Sequence, residues 1–163
     1  LLMFNKTINK NKYGFLLIVL LIITAFFTYT SKVLDKYSLG FSSNAEWVKY
    51  NSDSLLNYIN GGSTVFIDIT ADWCVTCKVN KLLILNSKEF KNIAKKNNLI
   101  LMRGDWTKPD TKITKFLQES NRYGIPFNAL YNIKYPKGII FSELLTFKEI
   151  KDSIKNMHIS YAD

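Results

Sequence analysis

The apolar positions of this chain fall into two unlike regimes. Across residues 13–31, YGFLLIVLLIITAFFTYTS, no residue is charged and a helix would be apolar on most of its circumference. Those nineteen residues would span about 28 Å as a helix, close to the roughly 30 Å hydrocarbon core of a bilayer. Beyond residue 46 the apolar runs are short and their spacing switches between strand-like and helix-like. The pattern predicts a short strand at 46–50. A helix follows, capped by Ser52 or Asp53, with Leu55, Leu56 and Ile59 on its apolar face and Gly61-Gly62 at its end. A buried strand is predicted at 64–69 and a helix at 74–86, with Val79, Leu82, Leu83 and Leu85 apolar. A second helix at 87–97 and a strand at 99–102 come next. Asp110 is placed to cap a helix with Ile113, Phe116 and Leu117 on one face. Strands at 127–131 and 139–144 flank a turn at 134–138. Thr146 and Glu149 have capping-box spacing before a last helix carrying Phe147, Ile150 and Ile154. Alternation followed by a hairpin predicts an α/β fold, with a mixed central sheet and helices on both faces.

Three parts follow from this pattern: a basic flank and transmembrane anchor at 1–31, a tether at 32–45, and an α/β lobe at 46–163. The tether is marked by Ser38, Gly40, Ser42, Ser43 and Asn44. Lys6, Lys10 and Lys12 precede the apolar run, and Lys32 and Lys36 follow it. That bias puts the N-terminus in the cytoplasm and the lobe on the far side of the membrane. Tyr13 and Tyr29 fall near the two interfaces, where amphipathic rings are favoured. A cleaved signal peptide shares the basic flank and apolar centre, but Thr28-Tyr29-Thr30 is a poor small-residue cleavage site, so an uncleaved anchor is the preferred reading.

The formal net charge is +9, from 22 Lys and Arg against 13 Asp and Glu. The lysines are dispersed and no basic-aromatic stripe repeats, so no nucleic-acid partner is expected. Arg103-Gly104-Asp105 spells an adhesion tripeptide, but it ends a predicted strand. His158 reads as a surface residue after the last helix.

The only two cysteines, Cys74 and Cys77, stand three positions apart where the buried strand gives way to a helix. With Cys74 at the helix cap and Cys77 in its first turn, the sulfurs can meet and bond. Unpaired N–H groups and the helix dipole favour a thiolate there. A zinc site would need two more ligands, and the chain offers no third cysteine and one histidine. A pair of inert core cysteines is the plainer alternative. In the redox reading Cys74 is the outer, attacking sulfur and Cys77 the resolving one. Val75-Thr76 puts no cation between them, which points to a reducing dithiol. Asp68, six residues before Cys74 in an apolar strand, is either a half-exposed strand acid or a proton acceptor for Cys77. Trp73 either shapes a docking surface or covers the core edge. Pro126, at the start of a predicted strand, reads as an ordinary trans proline from sequence alone.

Taken together, Asp68-Ile-Thr-Ala-Asp-Trp-Cys74-Val-Thr-Cys77-Lys-Val-Asn, Asp105-Trp106-Thr107, Gly124-Ile125-Pro126 and Leu144-Leu145-Thr146 resemble the C-terminal, thioredoxin-like domain of the DsbD/ScsB thiol:disulfide interchange proteins. The likeness covers roughly residues 46–157. It implies a thioredoxin-like fold with a buried acid at Asp68 and a cis bond at Ile125-Pro126 opposite the cysteines, where an extended substrate segment pairs with the backbone of Ile125. It implies catalytic Cys74, Cys77 and Asp68, docking residues Trp73, Ile125 and Pro126, and no cofactor or metal beyond the cysteine pair. The partners it implies are a membrane electron donor and oxidised periplasmic thiol proteins, including disulfide isomerases and cytochrome c maturation factors. The location it implies is a bacterial inner membrane with the lobe in the periplasm. Two departures stand out. The cysteine-bearing multi-helix membrane domain of relatives is not in this sequence, and Lys81 occupies a position where many relatives carry an acid. A positive charge there favours nearby thiolates if it points inward. The competing reading is a redox-inactive interaction module left by a split or decayed relative.

Overall fold

The computed structural model describes residues 10–38 and 47–159, and the chain divides into two compact units, 1–42 and 43–163. In the first, helix α1 runs Lys10–Ser38 and so takes in the opening residues of the predicted tether. The rest of that tether, and Lys6 of the basic flank, lie outside the described residues. Within α1, Gly14 and residues 16–29 are exposed. Among the described residues no helix is long and apolar enough to cross a membrane.

The second unit is an α/β lobe. Its elements are β1 Val48–Lys49, α2 Ser52–Asn60, β2 Val65–Thr70, α3 Val75–Asn80 continued by a π-helical turn Lys81–Leu85, α4 Lys88–Lys96, β3 Ile100–Asp105, α5 Thr111–Glu119, β4 Phe127–Tyr131, β5 Ile139–Ile140 and α6 Phe147–Ile159. The sheet order is β1-β3-β2-β4-β5. β3 is parallel to β1 and β2, whereas β4 is antiparallel to β2 and β5. β2 is therefore central, and all six of its residues are buried. Its β-branched run suits a strand covered on both faces. Val65, Ile67 and Ile69 pack with α2 and α5, including Leu55, Ile59, Ile113, Phe116 and Leu117. Phe66 points to the other face, among Ile84, Leu85, Phe90, Phe141, Ile150 and Ile154. By the two-residue period of a strand, Asp68 and Thr70 share that second face.

Several boundaries differ from the sequence pattern for local reasons. Asn51 caps α2, not Ser52 or Asp53. Its backbone is extended and its side-chain oxygen accepts from the N–H groups of Asp53 and Ser54. Leu56 is exposed, one residue round the helix from Leu55, while Leu55 and Ile59 are buried one turn apart. The single helix predicted at 74–86 is interrupted. From Lys81 the turn widens, with Asn86 N donating to Lys81 O at 3.0 Å. The added residue per turn rotates Ile84 and Leu85 into the core and leaves Leu82 and Leu83 exposed. β3 runs on to Asp105, past the point where apolar residues stop. Gly104 permits this, because a Cβ there would lie 2.6 Å from Ile69 Cδ1 and 3.2 Å from Tyr50 Cβ. β5 ends at Ile140, four residues early. Thr146 Oγ1 accepts from Glu149 N, but the Glu149 carboxylate turns to Ser142 N and Oγ, so the capping box is half made. His158 falls inside α6, and its side chain lies outside the described residues.

Buried Asn80, at the end of α3, fixes the chain beyond β5. Its Nδ2 donates to Glu143 O at 2.7 Å and its Oδ1 accepts from Leu145 N at 3.1 Å. Asn80→Ala leaves both backbone groups without that partner. We expect a loss of about 2–3 kcal/mol and a melting temperature several degrees lower by circular dichroism. An unchanged melting temperature would mean that other contacts hold this segment.

Candidate active site

Strand β2 delivers the chain to the cysteines. After Thr70, the loop Ala71-Asp72-Trp73 is held from β3: Trp106 N donates to Thr70 O, Asp72 N donates to Thr107 Oγ1 at 2.9 Å, and Trp73 Nε1 donates to Thr107 O at 3.3 Å. Asp105 in turn accepts from Thr107 N at 2.8 Å, and these bonds to Thr107 hold its carboxyl below its usual range. Asp105-Trp106-Thr107 is thus a splint for the cysteine loop. Trp73 is 59% exposed and its ring lies 6.4 Å from that of Trp106.

Cys74 is the N-cap of α3. Its backbone is extended and its Sγ accepts from Cys77 N at 3.2 Å. The two sulfurs are bonded, with the Cα atoms 5.3 Å apart. Cys74 is 6% exposed and Cys77 2%. Cys74 was expected as the exposed, outer sulfur, but both residues are largely enclosed. Ala71 and the two cysteines form a small buried cluster, and Ile125 packs against it. The Ile125-Pro126 bond is cis. Pro126 is half-buried and leads directly into β4. Exposed Trp73 and Val75 lie beside the pair in sequence. The predicted residues Trp73, Cys74, Cys77 and Ile125-Pro126 therefore belong to one neighbourhood.

Asp68 is buried and paired, not half-exposed. Arg103 Nε donates to its Oδ2 at 2.6 Å, and Asn128 Nδ2 donates to its Oδ1 at 3.0 Å. The sheet register sets this up, since Asp68 lies opposite Arg103 on β3 and Asn128 on β4. The Arg103 guanidinium also lies over the Trp47 ring, 3.9 Å from its centroid. Thr70 Oγ1, Asn128 Oδ1 and Arg103 Nη2 are buried on this face and have no hydrogen-bond partner among the described residues, so the floor of the site is polar. Lys81 is one turn past Cys77, its backbone N–H donating to Cys77 O. Burial lowers the pKa of the half-buried Lys81, Asp68 raises it and Arg103 lowers it. Sequence reasoning found Asp68 but missed Arg103 and Asn128. The only hint was an arginine inside an apolar strand, and the strand pairing was needed to match it to Asp68.

Comparison with known proteins agrees with this geometry. Residues 60–132 match the family described as thioredoxin-like. Of solved structures, the reduced C-terminal domain of DsbD from Neisseria meningitidis superposes with a TM-score of 0.51 at 16% identity, over 67% of this chain and 98% of that one. A thioredoxin from Halobacterium salinarum gives 0.50 at 16% identity, over 71% of this chain and 93% of that one. The chain therefore carries a thioredoxin-like domain. By sequence it is similar to the thiol:disulfide interchange protein DsbD of Vibrio cholerae, 31% identical over 71 residues, which are 44% of this chain and 12% of that protein.

Proposed function

We propose that this protein is a thiol:disulfide oxidoreductase that reduces disulfides of other proteins. The observation that carries the reading is the bonded Cys74–Cys77 pair at the head of α3, with Ile125 of a cis Ile-Pro bond packed against it. In the reduced form the Cys74 thiolate attacks a substrate disulfide. An S–S bond forms between Cys74 and one substrate sulfur, and the other substrate sulfur leaves as a thiolate and takes a proton. Cys77 then loses its proton, with Asp68 as acceptor, and attacks Cys74. The second substrate sulfur leaves, and the Cys74–Cys77 disulfide is restored. Two electrons pass to the substrate, which ends as two thiols. Trp73, Ile125 and Pro126 are the docking surface, with the Ile125 backbone pairing an extended substrate segment.

In the same reading, residues 13–31 hold the chain to a membrane. The support is the uncharged run itself, its place in the 29-residue helix α1, and the exposed apolar side chains there; the run extends past the described side chains at both ends. The lysine bias puts the lobe outside the inner membrane of a bacterium. A membrane electron donor then re-reduces the pair, and the anchor raises the effective concentration of the two. Oxidised periplasmic proteins, such as disulfide isomerases or cytochrome c maturation factors, are the substrates.

The test is insulin reduction by the full chain with dithiothreitol as electron source. We expect turnover above the uncatalysed rate and its loss in Cys74→Ser. No turnover above background would favour a redox-inactive interaction module.

A further inference from the structure

We propose that the face of the lobe formed by α4 and α6 is a docking surface for a bilayer that contains anionic lipid. The proposal rests on the membrane reading of residues 13–31 above. The lysines are dispersed along the sequence, but the fold gathers them. The π-helical turn that continues α3, together with α4 and α6, packs on the Phe66 face of the sheet. With α3, these elements carry nine lysines against three acids. α2 and α5 pack on the other face and carry two lysines against two acids, to which the α5 cap Asp110 adds a third. On the basic face Lys151 pairs with Glu89 and Lys148 with Asp152, each at 2.7 Å. Lys88, Lys95, Lys96 and Lys155 are exposed and have no ion-pair partner among the described residues. The positive charge of the lobe is therefore concentrated on one side of its sheet, where it favours an anionic surface.

A groove of about 730 Å³ runs between α4 and α6. Ile93 and buried Ile154 line it together with Lys96, Lys151 and Lys155. On the π-helical turn that leads into α4, Leu82 and Leu83 are exposed. Apolar groups set among lysines suit a lipid interface: the ammonium groups meet lipid phosphates and the apolar groups enter the headgroup boundary. The route of the chain selects the occupant. Only eight residues, 39–46, separate α1 from Trp47. A stretch of that length reaches about 30 Å at most. Trp47 is seated on the basic side of the sheet. Its ring stacks on that of Phe90 in α4, 6.3 Å between centroids, and meets Phe66 edge-on at 6.2 Å. A connection from a membrane helix therefore joins the lobe on the side where the lysines are. The charge alone would suit an acidic protein equally, and the entry of the chain on this side favours the bilayer. Cys74 heads α3, which runs into the same helical layer, so a lobe seated on this face keeps its cysteine pair close to the membrane donor.

The experiment is amine labelling of the full chain in liposomes. The chain is reconstituted into phosphatidylcholine liposomes and into liposomes of phosphatidylcholine and phosphatidylglycerol in equal parts. A brief pulse of a membrane-impermeant acetylating reagent modifies accessible lysines. Mass spectrometry then reads each site relative to Lys112 and Lys115 of α5 in the same molecules. We expect labelling of Lys88, Lys95, Lys96 and Lys155 to be about threefold lower, or more, in the anionic liposomes. High salt should abolish the difference, because it screens the surface charge. Lys95→Gln combined with Lys96→Gln and Lys155→Gln should remove most of the protection at Lys88. The three substituted side chains are exposed, so this variant keeps the core intact. Equal relative labelling in the two kinds of liposome, with the chain floating with both, overturns the proposal and leaves the charge to an acidic protein. A chain that floats only with the anionic liposomes, the same four lysines protected, supports the face and sinks the reading of residues 13–31 as an anchor. A chain that floats with neither overturns both.

Discussion

Cys77→Ala should accumulate as mixed disulfides through Cys74. In the parent, Cys77 is bonded to Cys74 from one turn along the same helix, so the resolving thiol attacks from a fixed, adjacent position. Intramolecular attack of this kind exceeds attack by an outside thiol by orders of magnitude in effective concentration. Without Cys77 the adduct must wait for such an outside thiol, and its lifetime should rise by about two orders of magnitude or more. Acid-quenched, non-reducing gels of membranes from cells making the full chain would show the adducts. Cys74→Ala should show none. The two cysteines differ little in exposure, 6% against 2%, so this experiment assigns the roles where burial separates them only narrowly. Adducts in Cys74→Ala and none in Cys77→Ala would reverse the assignment.

Asp68→Asn should slow the second half of the same exchange. The amide keeps the shape of the carboxyl but cannot take the proton that Cys77 must lose. General-base assistance is commonly worth about a hundredfold or more, so resolution of the mixed disulfide near neutral pH should slow by at least about tenfold. The sign with pH is fixed: the deficit shrinks as pH rises toward about 9, because hydroxide then removes the thiol proton directly. Quenched-flow resolution rates in parent and variant, compared across that range, provide the check. Parallel profiles with equal rates would remove Asp68 from the mechanism. The variant also breaks the pair with Arg103, which is a quarter exposed, at a cost of about 2 kcal/mol, between the values for buried and surface pairs. Rates should therefore be compared well below the melting temperature.

Local chemistry made parts of this molecule readable from sequence. Asp110 caps α5 as its position suggested, because a side-chain oxygen beside unpaired N–H groups is a local event. The Cys74–Cys77 turn was readable for the same reason, since both sulfurs and the helix start lie within four residues. Relations between distant strands were not. Arg103 is 35 residues from Asp68 and Asn128 is 60 away, and only the β2–β3 and β2–β4 register makes them partners. The extent of β3 was hidden for a related reason. Its polar end, Arg103-Gly104-Asp105, looks like a strand terminus until Asp68 pairs the arginine and Ile69 covers the glycine. The π-helical turn at Lys81 was missed because Leu82 and Leu83 fit an uninterrupted helix as well as Ile84 and Leu85 do. The choice is made by packing on Phe66, which is a tertiary event.

The most direct measurement of the central claim is the number of substrate disulfides that one pre-reduced chain can open. The chain has two cysteines, both in this site, so the dithiol holds two electrons. Full-length protein would be reduced, freed of reductant under inert gas, placed in liposomes and mixed with excess oxidised insulin. New substrate thiols would be counted against time, and the state of Cys74 and Cys77 read by mass after alkylation. We predict about one insulin disulfide opened per chain, in step with formation of the Cys74–Cys77 disulfide, and then a halt. Insulin that stays oxidised while Cys74 and Cys77 remain reduced, or reduction that continues with no added reductant, would contradict the account.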